Sequence, residues 1–150
     1  MIPRVGEAVR SDQSYTLRPG VYAMLLRGSN VLLTHQSEPE PETQLPGGGI
    51  DPGEQPLAAL HREILEETGW TISNPKRVGA YRRFTYMPDY SLWAEKLCTI
   101  YLARPARQVG RPSEAHHTAI WTPLSEAVDI LDTPGDREFM AVLQDALASR

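Results

Sequence analysis

Residues 48–70 read GGIDPGEQPLAALHREILEETGW. The second half of this stretch carries the local signs of a helix. Pro56 suits a first turn, Gly69 suits a C-terminal stop, and residues 56–68 contain no other breaker. At about 100° per residue, counted from Leu57, the residues Leu60, Ile64 and Thr68 fall within roughly 60° of zero. They form the expected buried stripe. Glu63, Glu66 and Glu67 fall together in the adjoining sector, at roughly 180–280°. Like charges three and four apart repel, and all three lie toward the end of the helix whose dipole disfavours anions. A solvated acidic face is the ordinary reason for E-x-x-E-E on a helix. A bound dication is the other, because clustered carboxylates suit hard ions such as magnesium or manganese.

The residues before the helix weigh on this choice. A glycine-rich turn, GGIDPGE, ends at Glu54, eight positions before Arg62 and six after Gly48. Gly48, Glu54, Arg62, Glu63, Ile64, Glu66, Glu67, Gly69 and Trp70 together resemble the Nudix box. That pattern is Gly, five residues, Glu, seven residues, then Arg-Glu-U-x-Glu-Glu-x-Gly-U, with U bulky and apolar. Trp70 is larger than the common aliphatic residue at the last position. The resemblance covers 23 residues and implies an α/β fold, an α/β/α sandwich around a central mixed sheet. It also implies a metal-dependent pyrophosphohydrolase that opens a phosphoanhydride in a nucleoside diphosphate derivative, with Mg2+ or Mn2+ as cofactor.

The resemblance also assigns roles. Glu66 and Glu67 are metal ligands, Glu63 is a further ligand or orients water, and the Gly48 carbonyl adds an oxygen. Glu54, Arg62 and Gly69 are structural, with Glu54 and Arg62 paired; Arg62 as a direct phosphate contact is the second reading. The general base varies in the family. Glu114, in RPSEAHHTAIW, is a candidate for that role or for a further metal ligand, and is equally readable as an exposed loop acid. Glu95 is a weaker candidate. His116 and His117 lack companions at zinc spacing and read as ordinary loop or strand histidines. His61 falls near about 40° on the helix and is expected to pack beside the core; nothing marks His35, at a strand end, as a ligand.

Away from the box, VYAMLL (21–26) and NVLLTHQ (30–36) are strand-like, with Arg27, Gly28 and Ser29 as the turn of a hairpin. Residues 37–56 are rich in proline, glycine and acids and read as a long loop with a short strand at TQLPGG. Further strands are expected at 77–86, 96–105 and 119–124, a short helix near SEAVDILD, and a last helix from Asp136 to Ser149. Residues 1–17 read as an arm or an initial strand. A single domain over residues 1–150 follows from the length.

The composition is that of a globular chain: 41% hydrophobic, 23% charged, net charge −4. No basic run offers a footprint for duplex nucleic acid. The one cysteine, Cys98, lies in the apolar run KLCTIYLA and reads as a core residue. The N-terminal residues have no apolar h-region and no run approaches membrane-spanning length. The expectation is therefore a cytoplasmic protein with a small nucleotide substrate and no membrane partner. Homodimers are common in the family, while the sequence itself does not fix the oligomeric state.

Specificity lies outside the box. In AYRRFTYMPDYSLW (80–93), Arg82 and Arg83 could hold phosphates and Phe84 or Tyr86 could stack on a base. Tyr86 follows Trp70 by 16 positions, a spacing similar to that of diadenosine polyphosphate hydrolases in the family. Tyr-Met-Pro loosely resembles RNA 5′-pyrophosphohydrolases. The proline spacing of ADP-ribose-cleaving members is not evident, which lowers that option without removing it; an ADP-ribose or sugar-nucleotide pyrophosphatase stays an alternative. Alternating aromatics and arginines also occur on many half-exposed strands. A Nudix-fold module that senses nucleotides without cleaving them is the rival from another class. Such modules usually lose box glutamates, whereas Glu63, Glu66 and Glu67 are all present. A glycosidase acid pair would not require this spacing of glycine, arginine and glutamate.

Overall fold

The computed structural model describes residues 1–149. Its strands are β1 (Thr16–Arg27), β2 (Asn30–Gln36), β3 (Glu42–Gln44), β4 (Gly47–Gly49), β5 (Trp70–Met87), β6 (Leu92–Gln108) and β7 (His117–Pro123). Its helices are α1 (Pro56–Thr68), α2 (Leu124–Ile130) and α3 (Pro134–Ala148), with a single 3-10 turn at Pro88–Tyr90. The strands form one mixed sheet of order β3-β2-β1-β6-β5, with β4 added to β1 and β7 added to β2. Only β1 and β6 run parallel; the other pairs are antiparallel.

β1 explains why its sequence shows no apolar–polar alternation. Val21, Ala23 and Leu25 pack toward Leu60 and Ile64 of α1. Tyr22 and Met24 point the other way, into a cluster with Leu131, Met140 and Leu143. A central strand covered on both faces is apolar throughout. The layers are therefore α1, the sheet, and α2 with α3, and Cys98 is buried in the second cluster. Among the described residues no helix is long and apolar enough to cross a membrane.

Helix α1 begins with Pro56 and stops at Gly69, which adopts φ 77 and donates its N–H to the Leu65 carbonyl at 2.9 Å. The buried arc of this helix differs from the expected one. Leu57 and His61 are exposed, whereas Glu63 and Glu67 are buried with Leu60 and Ile64. The acids sit within the buried face instead of beside it. Three other boundaries also move. β1 starts at Thr16, and β5 and β6 are longer than the apolar segments 77–86 and 96–105. At one end the extra length pairs Trp70–Lys76 with Leu102–Gln108 through register shifts around Ser73–Lys76, and these irregularities break the apolar–polar alternation that would mark a strand. The expected strand at TQLPGG is two short strands separated by Leu45 and Pro46. Residues before Thr16 form an arm that docks on β5: Val5 N–H donates to the Arg82 carbonyl, and Arg82 N–H to that of Pro3.

Asp136, in the first turn of α3, ties this helix to the sheet. Its carboxylate accepts from the Leu45 N–H at 3.1 Å and from the Tyr81 hydroxyl at 2.8 Å. Burial pushes its pKa from 3.8 up to about 6, against those two donors. The folded carboxyl thus holds its proton more tightly than the unfolded one. The stability this gives is complete below pH 3.8 and is lost as pH rises through about 6. The whole span amounts to about 3 kcal/mol. Asp136→Asn can accept from Leu45 and donate to the Tyr81 oxygen. Its stability relative to the parent should therefore climb by up to that amount between about pH 4 and 7. Urea unfolding across this range measures it; a constant difference would remove Asp136 as the source.

Candidate functional site

The acids of α1 meet the glycines of β4. Gly47 N–H donates to Glu67 Oε1 at 3.0 Å. Gly48 lies so close to Glu63 that a Cβ there would stand 2.4 Å from Glu63 Oε2. Glycine at 48 is thus the space in which the Glu63 carboxylate rests. Glu114 arrives from the loop before β7. The N–H groups of Ser113 and Glu114 both donate to the Glu66 carbonyl, at 2.7 and 3.2 Å. That carbonyl belongs to the last turn of α1, where backbone acceptors lack helical partners. The helix end therefore anchors the loop and carries Glu114 to the acid cluster.

Two overlapping groups result. Oxygens of Glu63, Glu66 and Glu114 lie within 4.8 Å of one another, and so do ligand atoms of Glu67, Glu114 and His117. Burial and the neighbouring acids, Glu114 among them, raise the Glu63 pKa to about 7, with Arg62 opposing. Burial pushes Glu67 well above the usual carboxylate range, against the Gly47 N–H, and Glu114 and Glu63 add to the rise. The one guanidinium among these carboxylates, Arg62, is shared with Glu54, so the cluster is short of positive charge, and a dication would supply it. The residue set thus fits a hard divalent ion on its own chemistry.

Arg62 is fully engaged. Its Nε and one terminal nitrogen grip Glu54 at 2.7 and 2.8 Å, a bidentate pair. The remaining N–H groups reach Glu63, Glu66 and the Gly49 carbonyl. Those Arg62 bonds, with the Asp51 N–H, hold Glu54 down at about 2. Every Arg62 donor is occupied, which favours the structural reading over a direct phosphate contact. Glu66 lies at the rim, its side chain split between Arg62 and the cluster.

The cluster forms one wall of a cavity of about 360 Å³. Gly48, Glu63, Glu67, Glu114 and His117 line it, as do Arg83 and Tyr86. Arg82, Phe84 and Glu95 do not. Arg82 pairs with Glu95 at 3.6 Å and donates to the Ile2 carbonyl, and Phe84 is buried against Tyr15. Alternation along β5 is the cause: Arg83 faces the cavity, so Arg82 and Phe84 face away. Arg83 is bound to Glu7 of the arm and to Glu42 of β3.

Several lining residues escape a reading of the sequence. Lys96 on β6 pairs with Arg83 on one side and Arg18 of β1 on the other, so the three basic residues form a row across the sheet. Lys96 takes part in none of the ion pairs among the described residues. The Arg18 guanidinium rests on the Tyr90 ring at 4.4 Å. His117, read above as ordinary, sits between Glu67 and Glu114, with Nδ1 and Nε2 each 3.5 Å from a carboxylate oxygen. His116 stays exposed, 3.2 Å from Glu38, and His35 contacts the Thr43 hydroxyl.

Comparison with known proteins places this geometry. A domain model described as "NUDIX domain" matches residues 16–143. A putative 8-oxo-dGTP diphosphatase of Bacillus subtilis is 35% identical over 74 residues, 49% of this chain and 50% of that protein. An RNA pyrophosphohydrolase of Helicobacter pylori is 44% identical over 57 residues, 35% of this chain and 37% of that protein. The chain thus spans half or less of the length of these curated relatives. Among solved structures, a MutT protein from Methanosarcina mazei aligns with TM-score 0.70 and 21% identity, over 88% of this chain and 96% of that one. A NUDIX hydrolase from Nitrosomonas europaea aligns with TM-score 0.68 and 20% identity, over 89% and 90%. These two likenesses concern the fold.

Proposed function

The chain belongs to the NUDIX family, and from that membership we propose that it hydrolyses a phosphoanhydride bond of a nucleoside diphosphate derivative. The observation that carries this reading is the meeting of buried Glu63 and Glu67 with Glu114 against the β4 glycines, on one wall of a cavity. Glu63, Glu66, Glu67 and the Gly48 carbonyl are the groups that would hold magnesium or manganese. Such an ion neutralises phosphoryl oxygens and makes a bound water more acidic.

This chain's own residues supply the rest. A water oxygen attacks phosphorus, the bridging P–O bond breaks, and the leaving phosphate departs with the bonding pair. Glu114, at the cavity wall and only partly buried, is our candidate to accept the water's proton. Arg62 keeps Glu63 and Glu54 in place. The row Arg18–Lys96–Arg83 faces the anionic part of the substrate, and Tyr90 at the rim is a surface for a base; the Tyr86 ring packs on Trp93 instead. We take residues 1–150 to act as one domain.

A free nucleotide fits better than RNA. The cavity also carries Glu40, Glu42, Asp51 and Asp89, and an RNA chain leaving through acids would be repelled. A phosphate-release screen with magnesium or manganese tests both the reaction and the substrate. It should contain 8-oxo-dGTP, other nucleoside triphosphates, diadenosine polyphosphates, ADP-ribose, sugar nucleotides and 5′-triphosphorylated RNA. Release from a nucleoside triphosphate is expected; release from RNA alone would replace the mononucleotide reading, and no release from any would remove the hydrolase.

Two further outcomes are expected. Magnesium at about a hundredfold over its Kd should add about 2.7 kcal/mol, or roughly 5–10 °C in melting temperature. Chelation should reverse the shift, and an unchanged melting curve would speak against a dication site. Lys96→Met removes a charge-assisted contact, so KM should rise about tenfold with a smaller change in kcat. An unchanged KM would take Lys96 out of substrate binding.

A further inference from the structure

We infer that His117 makes the inner part of the acid cluster a mixed nitrogen–oxygen cation subsite that selects first-row transition dications over magnesium. The inference rests on the dication reading above and adds a ligand that is not a carboxylate. His117 Nδ1 is buried and has no hydrogen-bond partner among the described residues. It faces Glu67 Oε2 at 3.5 Å, while Nε2 faces Glu114 Oε2 at 3.5 Å on the opposite side of the ring.

Neither ring gap is a formed hydrogen bond. A direct N–H···O bond would stand at about 2.7–3.2 Å. Two ligands of one ion, each about 2.1 Å from it, stand about 3.0–3.4 Å apart in octahedral or tetrahedral arrangement. Both ring gaps, at 3.5 Å, lie outside the hydrogen-bond range and near the ligand–ligand spacing, so the buried, unpartnered Nδ1 and not the distance marks the ligating atom. A neutral ring that offers its Nδ1 lone pair toward Glu67 keeps its proton on Nε2, directed at Glu114. A ligating histidine is ordinarily steadied by a carboxylate on its other nitrogen; at 3.5 Å Glu114 is placed for that role without making the bond. His117 is the first residue of β7 and is held there by pairing with Gln36, so the ring is placed by the sheet and not by the loop.

Imidazole nitrogen binds manganese, cobalt or zinc well, whereas magnesium prefers oxygen and keeps its waters. Calorimetric titration with magnesium and with cobalt, without nucleotide, tests the proposal on the parent, His117→Ala and His117→Asn. The asparagine variant serves if the alanine one does not fold. Cobalt should bind the parent at least tenfold more tightly than magnesium. The substitutions should weaken cobalt by about tenfold or more and magnesium by less than threefold. The cobalt-loaded parent should also show a paramagnetically shifted imidazole N–H resonance that both variants lack.

Equal weakening of both ions, or no change, overturns the inference and leaves the dication reading standing. Tighter binding of both ions in the variants also overturns it, because the ring would then be a cation holding two carboxylates together. Failure of the parent to bind either ion overturns this inference and the dication reading at once.

Discussion

Glu67→Gln should lower kcat by about a thousandfold and leave the protein folded. Glu67 is almost fully buried and accepts the Gly47 N–H at 3.0 Å. Glutamine keeps that acceptor and nearly the same shape, so packing survives. The negative charge is what disappears, and in the proposed mechanism that charge holds the dication against the phosphates. Loss of one such group in a desolvated site costs on the order of 10²–10³ in turnover. The variant should also be at least as stable as the parent without metal, because burial raises the pKa of the native carboxyl. It should gain less than the parent from added magnesium. Steady-state kinetics beside melting curves with and without magnesium separate these effects. Near-normal turnover in a folded Glu67→Gln protein would sink the proposed mechanism.

Gly47→Ala and Gly48→Ala, one position apart, should fail in opposite ways. At Gly47 a Cβ would lie 2.1 Å from the Val21 carbonyl and 2.6 Å from Tyr22 Cα, with φ at 146. Both obstacles are β1 backbone, fixed by sheet pairing on either side. The clash and the strained φ should cost about 3–5 kcal/mol, which lowers the melting temperature by roughly 10 °C or more. At Gly48 the obstacle is the Glu63 carboxylate, 2.4 Å away, at the free end of a flexible side chain. It can swing aside at small cost in stability, but it then leaves the acid cluster. Gly48→Ala should melt within about 2 °C of the parent and lose about a hundredfold in kcat. If Gly48→Ala unfolds, or turns over normally, the glycine does not serve to seat Glu63.

The two glycines also show where the sequence could be read and where it could not. Pro56 and Gly69 bound α1 as their backbone preferences require, and Arg62 and Glu54 are joined as the box pattern implies. Those features are local, or repeat a known spacing. The partners of the acids are not local. Glu114 reaches them because the Glu66 carbonyl lacks a helical partner and captures the loop, and His117 follows through β7 pairing with β2. No spacing in the sequence foretells either contact. The two arginines of β5 could not be told apart for another reason. Alternation separates Arg82 from Arg83, but which of them faces inward depends on the phase of the strand, which polar residues do not reveal. Lys96 and Arg18 were invisible until the β1–β6–β5 register aligned them with Arg83.

The parallel pairing of β1 with β6 has a consequence for how the chain comes into being. Thr16 lies opposite Ala94 and Leu25 opposite Ala103. On the ribosome, β1 must therefore wait for most of the protein to be made before its neighbour exists, an interval of several seconds. β2, β4 and α1 are all made before β6, so during that time it is the β1 edge facing β6 that stays open.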